Sequence, residues 1–254
     1  MKEFDRRRFL ALLASAGGVA ALSGCDRITG NASMRSLLAA ADAPTDAALR
    51  ALTPDDALAP EFTEADLSPV FKANGSINPQ TPEYLALVRS GFEDYRLKVT
   101  GLVQRPLALD LPGLRSMPSR TQITRHDCVE GWSCIGKWKG VPIAHVLDLA
   151  GPTAEARFLV FHCADSLDRD DSRYYESIRL TEARHPQSLL AYDMNDAPLT
   201  IPYGAPLRAR LERKLGYKMA KYIVGLELVA SLEGIGGGQG GYWEDRGYQW
   251  HGGI

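Results

Sequence analysis

The segment with the most chemical content is Arg125-His126-Asp127-Cys128-Val129-Glu130-Gly131-Trp132-Ser133-Cys134. A cysteine at the end of an extended stretch, beside a glycine-containing turn, can present its sulfur to a cleft, and His126, two positions earlier, shares its strand face. Three fates fit such a thiol: a buried structural group, a disulfide to Cys134 in an oxidising compartment, or a thiolate serving as nucleophile or metal ligand. The chain has 4 cysteines and 5 histidines. None of them forms a CxxC, an HExxH or a second Cys/His cluster, which speaks against an all-protein zinc site. A second concentration of charge runs from Arg208 to Lys221. There Arg208, Arg210, Arg213, Lys214, Lys218 and Lys221 are set against one acid, Glu212. Such a run is either a solvated basic face or a means of holding phosphate.

Short strands must position these groups. Tyr95–Gly101 alternates with period two and ends on glycine, and Thr121–Cys128 runs into the turn at Glu130-Gly-Trp-Ser. Arg157–Cys163 and Tyr174–Leu180 flank the acidic turn Asp165–Asp171. Leu189–Met194, Leu207–Glu212 and Tyr222–Ala230 complete the strands, with Asn195-Asp196 as a turn. Pro142–Leu149, closed by Gly151, has the pattern of a short helix. Strands with so little helix between them predict an α+β fold with mixed or antiparallel sheets, since parallel βαβ units need longer crossovers. The glycine run Gly234–Gly241 precedes an aromatic stretch, Tyr242–Trp250, that holds 2 of the chain's 4 tryptophans; this predicts a tail that packs.

The chain is 254 residues long, 45% hydrophobic, with 29 basic and 31 acidic residues. That balance offers no positive excess for a phosphate backbone and excludes a nucleic-acid partner. Residues 1–24 read as a signal peptide: Arg6, Arg7 and Arg8 precede an apolar run too short to span a bilayer, and Arg-Arg-Arg-Phe-Leu resembles a twin-arginine export signal. Leu22-Ser23-Gly24-Cys25 resembles a lipobox, which would place a lipid on Cys25 and tether the chain to a membrane; the alternative is an unlipidated secreted protein. Residues 25–67, rich in Ala, Asp, Pro and Thr, predict a linker with a short helix over Ser33–Ala41, and the compact domain is expected over 68–254. Export of a folded chain points to a cofactor acquired beforehand.

Cys128-Val-Glu-Gly-Trp-Ser closely resembles the molybdenum-binding segment of the sulfite oxidase superfamily, in particular its bacterial periplasmic branch of molybdopterin-dependent methionine-sulfoxide reductase catalytic subunits. Matching segments follow in the same order: Tyr95–Gly101, Gly140-Val-Pro, His185-Pro, Leu190-Ala-Tyr, Gly204-Ala-Pro-Leu-Arg208 and Leu215–Lys221. The resemblance spans residues 70–232. It implies the sulfite-oxidase-type molybdopterin fold, with one molybdenum held by the dithiolene of a single pyranopterin and by the Cys128 thiolate. It also implies that Arg208, Met219, Ala220 and Lys221 hold the cofactor. Asn74 lies near the family's amino-terminal cofactor asparagine, without the Tyr-Glu pair that follows it there. Cys163 stands where the reductases have a cofactor-contacting threonine, and Tyr203 replaces an asparagine; His126 and His162 are further candidates to line the pocket.

The implied activity is two-electron oxo transfer, reducing a small or protein-bound sulfoxide. No haem or iron–sulfur motif is present, so electrons would come from a separate carrier, by analogy a haem-bearing membrane subunit or a cytochrome. Two alternatives stand beside it. One is sulfite oxidation, although true sulfite oxidases place arginines soon after the cysteine, where this chain has Val129-Glu-Gly-Trp. The other is a non-enzymatic lipoprotein binding module with a Cys128–Cys134 disulfide.

Overall fold

The computed structural model describes Pro54, residues 56–167 and residues 172–254. The signal segment, Cys25 and the helix expected over Ser33–Ala41 lie outside the described residues.

Two five-stranded sheets share one core. The first has the order β2 (Leu107–Leu109), β1 (Leu97–Gly101), β10 (Ile223–Val229), β5 (Phe158–Cys163), β6 (Tyr175–Arg179), and within it only β1 and β10 run parallel. The second runs β3 (Arg120–Asp127), β4 (Ser133–Pro142), β7 (Ser188–Met194), β8 (Ala197–Pro198), with β9 (Arg208–Leu211) also on β7, all antiparallel. Among the described residues, four short helices fill the connections: α1 (Pro82–Arg89), α2 (Leu111–Ser116), α3 (Ile143–Ala150) and α4 (Leu180–Ala183). The expected mixed sheets with short helices are thus present, and every strand read from the sequence appears within two residues of its expected ends.

One long strand escapes the pattern. β4 contains Gly136, Gly140 and two lysines, which break a hydrophobic count, yet it alternates Cys134, Gly136, Trp138 and Gly140 on its buried side. A Cβ at Gly140 would lie 2.1 Å from the Leu190 carbonyl oxygen, so this strand approaches β7 through a position that only glycine can fill. The helix α3 follows at once: Ile143, Val146, Leu147 and Ala150 bury one stripe, and Gly151, at φ +67°, ends it in a left-handed cap. At Asn195-Asp196 both residues have positive φ, which makes the tight hairpin from β7 to β8.

Order begins ahead of Ser68. Ala59 hydrogen-bonds to the Gln187 side chain, and the Phe62 amide donates to the Ile123 carbonyl at 2.8 Å, so part of the segment read as linker runs along β3. At the other end the glycine-rich tail is packed. Asp245 accepts from the Tyr175 hydroxyl and from the amides of Gly237 and Gln239, while the Trp250 indole donates to Ser177. Lys218, buried, is bound by two buried carboxylates, Glu176 of β6 and Glu244 of the tail. These contacts carry Trp243 and Tyr248 to the wall of the cavity described next.

Candidate active site

Cys128 is the first residue past β3. The turn that follows is closed by two backbone bonds, from the Cys128 amide to the Trp132 carbonyl (2.9 Å) and from Gly131 to the Cys128 carbonyl (3.0 Å), with Gly131 at φ +84°. Its sulfur opens onto a cavity of about 160 Å³. The Asn74 amide reaches that sulfur at 3.8 Å, bringing together two residues 54 positions apart. Cys128, Cys134 and Cys163 are free thiols. The Cys134 thiol is directed to the Val70 carbonyl, 3.8 Å away, so the disulfide alternative is not formed.

The basic run resolves into groups with different partners. Arg210 forms a fully buried pair with Glu212 at 2.6 Å, Lys214 pairs with Glu182, and Lys218 is held by Glu176 and Glu244. Arg208 and Lys221 line the cavity. Arg208 is 2% exposed and lies over the Trp138 ring; it donates to the Tyr203 carbonyl and leaves its Nε without a partner. Burial, and then repulsion from Arg210, pull its guanidinium down to about 9. Burial and Arg208 likewise pull Lys221 down to about 7. The Lys221 ammonium nevertheless has an acceptor for each proton, in the carbonyls of Asn74 (2.7 Å), Ser76 and Pro202 (3.0 Å). Three acceptors and no donor favour the charged form.

Met219 also lines the cavity, with its sulfur 2.9 Å from an Arg210 nitrogen and 3.3 Å from His126 Nδ1. His126 is fully buried behind this wall. Burial and then Arg210 hold its pKa well below 6.5, so it is neutral and its Nδ1 accepts from Arg210. A Cβ on Gly216 would lie 2.6 Å from the His126 ring, which is why glycine stands there. Ala220, 1% exposed, bonds through its carbonyl to the Ala209 amide and so fixes the Met219–Lys221 backbone against β9.

Three expected residues lie elsewhere. The hydroxyl of Tyr203 donates to the Phe71 carbonyl, because the single-turn 3₁₀ helix Ile201–Tyr203 turns its ring away from the cavity. His162 is 2.8 Å from Glu227 on a partly exposed face of the first sheet; the period-two alternation that buries Cys163 sends its neighbour outward. Cys163 is buried beside Lys221, and burial pushes its thiol well up, so it stays protonated. The sequence reading missed Asp165, Tyr174, Tyr217, Trp243 and Tyr248, all in the cavity wall. The buried Asp165 is the least legible of them, since its local sequence looks like a solvated acidic turn.

A family model described as "Oxidoreductase molybdopterin binding domain" matches residues 85–233. The chain belongs to this family. It is a molybdopterin-dependent oxidoreductase of the sulfite oxidase superfamily, as the resemblance in its sequence implied. Among curated relatives, a putative protein-methionine-sulfoxide reductase subunit YedZ1 of Azospira oryzae is 37% identical over 98% of this chain and 87% of its own length. The protein-methionine-sulfoxide reductase catalytic subunit MsrP of Ralstonia nicotianae is 32% identical over 89% of this chain and 69% of that protein. MsrP of Campylobacter jejuni is 32% identical over 53% of this chain and 49% of its own. Among solved structures, sulfane dehydrogenase SoxCD from Paracoccus pantotrophus aligns with a TM-score of 0.49 and 22% identity, over 55% of this chain and 39% of that one.

The cavity fits the cofactor of a molybdopterin-binding domain. It offers a free thiol to a soft metal, and two cations with no carboxylate bonded to them to an anionic phosphate. The orphaned Arg208 Nε is the sharpest sign, for a buried guanidinium proton without an acceptor calls for one supplied by a ligand. Among the described residues no three His, Cys, Asp or Glu side chains cluster to hold a metal by themselves, so a metal at Cys128 would draw its remaining ligands from the cofactor.

Proposed function

We propose that this molybdopterin oxidoreductase reduces a sulfoxide-type substrate by two-electron oxo transfer, with Cys128 as the protein ligand of its molybdenum. The observation that carries the reading is Glu130 in the cavity wall, two residues past the metal-binding thiol. Its carboxylate accepts from the Trp132 indole at 2.8 Å and pairs with Lys72 at 3.4 Å, and these bonds hold its pKa below the usual carboxylate value. A fixed negative charge beside the entrance opposes anionic sulfite and leaves a neutral sulfoxide unaffected. Relatives named protein-methionine-sulfoxide reductase agree with that choice.

The residues divide the work. Cys128 would hold the metal, with Asn74 donating to its sulfur. Arg208 and Lys221 would take the phosphate, and the pinned Met219–Lys221 backbone would stand along the pterin. When bound, the molybdenum cofactor supplies the two-electron redox chemistry, and the protein orients it and limits access. Tyr174, Tyr217, Trp243 and Tyr248 wall the remaining space. We read the chain as exported by a twin-arginine signal over residues 1–24, tethered through a lipid on Cys25, and supplied with electrons by a separate haem-bearing membrane subunit or cytochrome.

The test is direct. The natively exported protein is expected to contain molybdenum and pterin in equal amounts and, with reduced viologen as donor, to reduce dimethyl sulfoxide and methionine sulfoxide in preference to oxidising sulfite. Cys128→Ser is expected to abolish turnover while leaving the circular dichroism spectrum unchanged. Full activity in that variant, or a protein free of molybdenum, refutes the assignment.

A further inference from the structure

We propose that Asp165 is the proton donor of this cavity, delivering a proton to the oxygen that leaves the substrate; the proposal rests on the sulfoxide reading above. Reduction of a sulfoxide takes up two electrons and two protons and releases a sulfide and water. The two electrons that break the S–O bond are what the reduced cofactor would supply when bound, and the separate carrier proposed above would replace them. The oxygen gains one proton as the Asp165 O–H bond breaks, and a second once solvent has reprotonated the carboxylate. Some group in the cavity must hand over those protons, and the wall leaves few choices.

The Glu130 carboxylate is already taken up by the Trp132 indole and the Lys72 ammonium. Tyr174 and Tyr217 have their hydroxyls pushed upward by burial, and Tyr248 stands at the exposed rim. Arg208 is a fixed cation, and each proton of Lys221 is directed at a carbonyl. Asp165 differs from all of them. It is 3% exposed, it lines the cavity, and its Oδ1 has no hydrogen-bond partner among the described residues.

Its position is fixed by the backbone, since its carbonyl accepts from the Tyr174 amide at 2.9 Å, while the Ser76 side chain hydrogen-bonds to its carboxyl. Lys221 and Arg173 are the cations around it, and Tyr84, Tyr174, Tyr222 and the Cys163 thiol are the neutral acids that feel its charge. Burial outweighs the cations and raises the carboxyl to about 6, near the value at which an acid both holds and releases a proton at neutral pH.

The experiment uses the molybdenum-loaded enzyme and its Asp165→Asn and Asp165→Glu variants, with dimethyl sulfoxide as substrate and reduced viologen as donor. Wild-type kcat is expected to fall as pH rises through about 6 to 7, because the acid must be protonated. Asp165→Asn is expected to lose roughly 10²-fold in kcat and its pH dependence, the size of a general-acid contribution, while its molybdenum and pterin contents match wild type. Asp165→Glu is expected to restore a pH-dependent rate. Carbon-13 spectra of aspartate-labelled enzyme add a readout independent of turnover: one carboxyl titrating near pH 6, missing from Asp165→Asn. The proposal is overturned by an unchanged rate and profile in Asp165→Asn, by aspartates that all titrate below about pH 5, or by molybdenum loss that matches the rate loss. A loaded wild-type enzyme that reduces no sulfoxide overturns the substrate reading itself, and is told apart because wild type fails too.

Discussion

Replacing Lys218 with methionine tests whether the tail is fastened by charge. Lys218 is wholly buried between Glu176 and Glu244, and each of those carboxylates keeps an Oε2 with no partner. Lys218→Met preserves the unbranched stem and removes the cation, so each carboxylate loses one charge-assisted hydrogen bond worth roughly 1.5–3 kcal/mol. Two such losses come to about 3–6 kcal/mol, in line with the ~3–5 kcal/mol typical of removing one partner from a buried ion pair. At roughly 2–4 °C per kcal/mol for a body of this size, the melting temperature falls by on the order of 6–24 °C. The deficit depends on pH, with a sign that follows from linkage. Burial, with repulsion from Glu244, already raises Glu176 above the usual carboxylate value, and Lys218 is the main influence that lowers it. Without Lys218 the native state binds protons more tightly than the unfolded chain. The variant is therefore steadiest below about pH 4 and weakens as pH rises from 5 to 8. Thermal unfolding followed by circular dichroism at several pH values, with indole fluorescence reporting Trp243 and Trp250, measures both effects. Adding Glu176→Gln and Glu244→Gln to the variant should recover most of the loss. A deficit under about 2 °C at pH 8, or one that does not change with pH, would refute the argument.

Three further outcomes are expected. Gly140→Ala forces a methyl to within 2.1 Å of the Leu190 carbonyl and should destabilise by about 3 kcal/mol or more, measured by urea denaturation. Arg208→Gln removes the cation whose Nε awaits an acceptor; pterin retention after gel filtration should weaken by on the order of 10–100-fold, with the fold unchanged by circular dichroism. His126 is held neutral by burial and by Arg210, so its contribution to stability is present above about pH 6.5 and lost as pH falls. The decline in melting temperature between about pH 7 and 5 should be shallower in His126→Gln.

The strands were legible where period-two alternation was clean, as in Thr121–Cys128 and Tyr222–Ala230, because one buried face imposes that pattern on the side chains. β4 was not, since Gly140 serves close backbone approach and Gly136 makes room for the Phe71 and Trp138 rings, which no hydropathy count records. Cys128, Arg208, Met219 and Lys221 were legible through ordered motifs, and Asn74 proved to touch the Cys128 sulfur despite its departure from the family pattern. His162 and Asp165 were misjudged for one shared reason. Whether a polar side chain at a strand end faces solvent or a cavity is settled by the tertiary packing around it, and their neighbours in sequence are equally polar in both cases. Lys214 and Lys218 in the basic run show the same limit, for their partners Glu182, Glu176 and Glu244 come from distant segments.

The parallel pairing of β1 with β10 has a consequence for synthesis. Lys98–Gly101 find their parallel partners only at Gly225–Leu228, and the cavity joins Asn74 to Trp243 and Tyr248. A nascent chain that has emerged only as far as β9 lacks the central strand of the first sheet and one wall of the cavity. Contacts this distant in sequence form late and slowly. Assembly of the cavity therefore follows translation of the Tyr242–Trp250 segment, and loading of a cofactor at Cys128 has to wait for it.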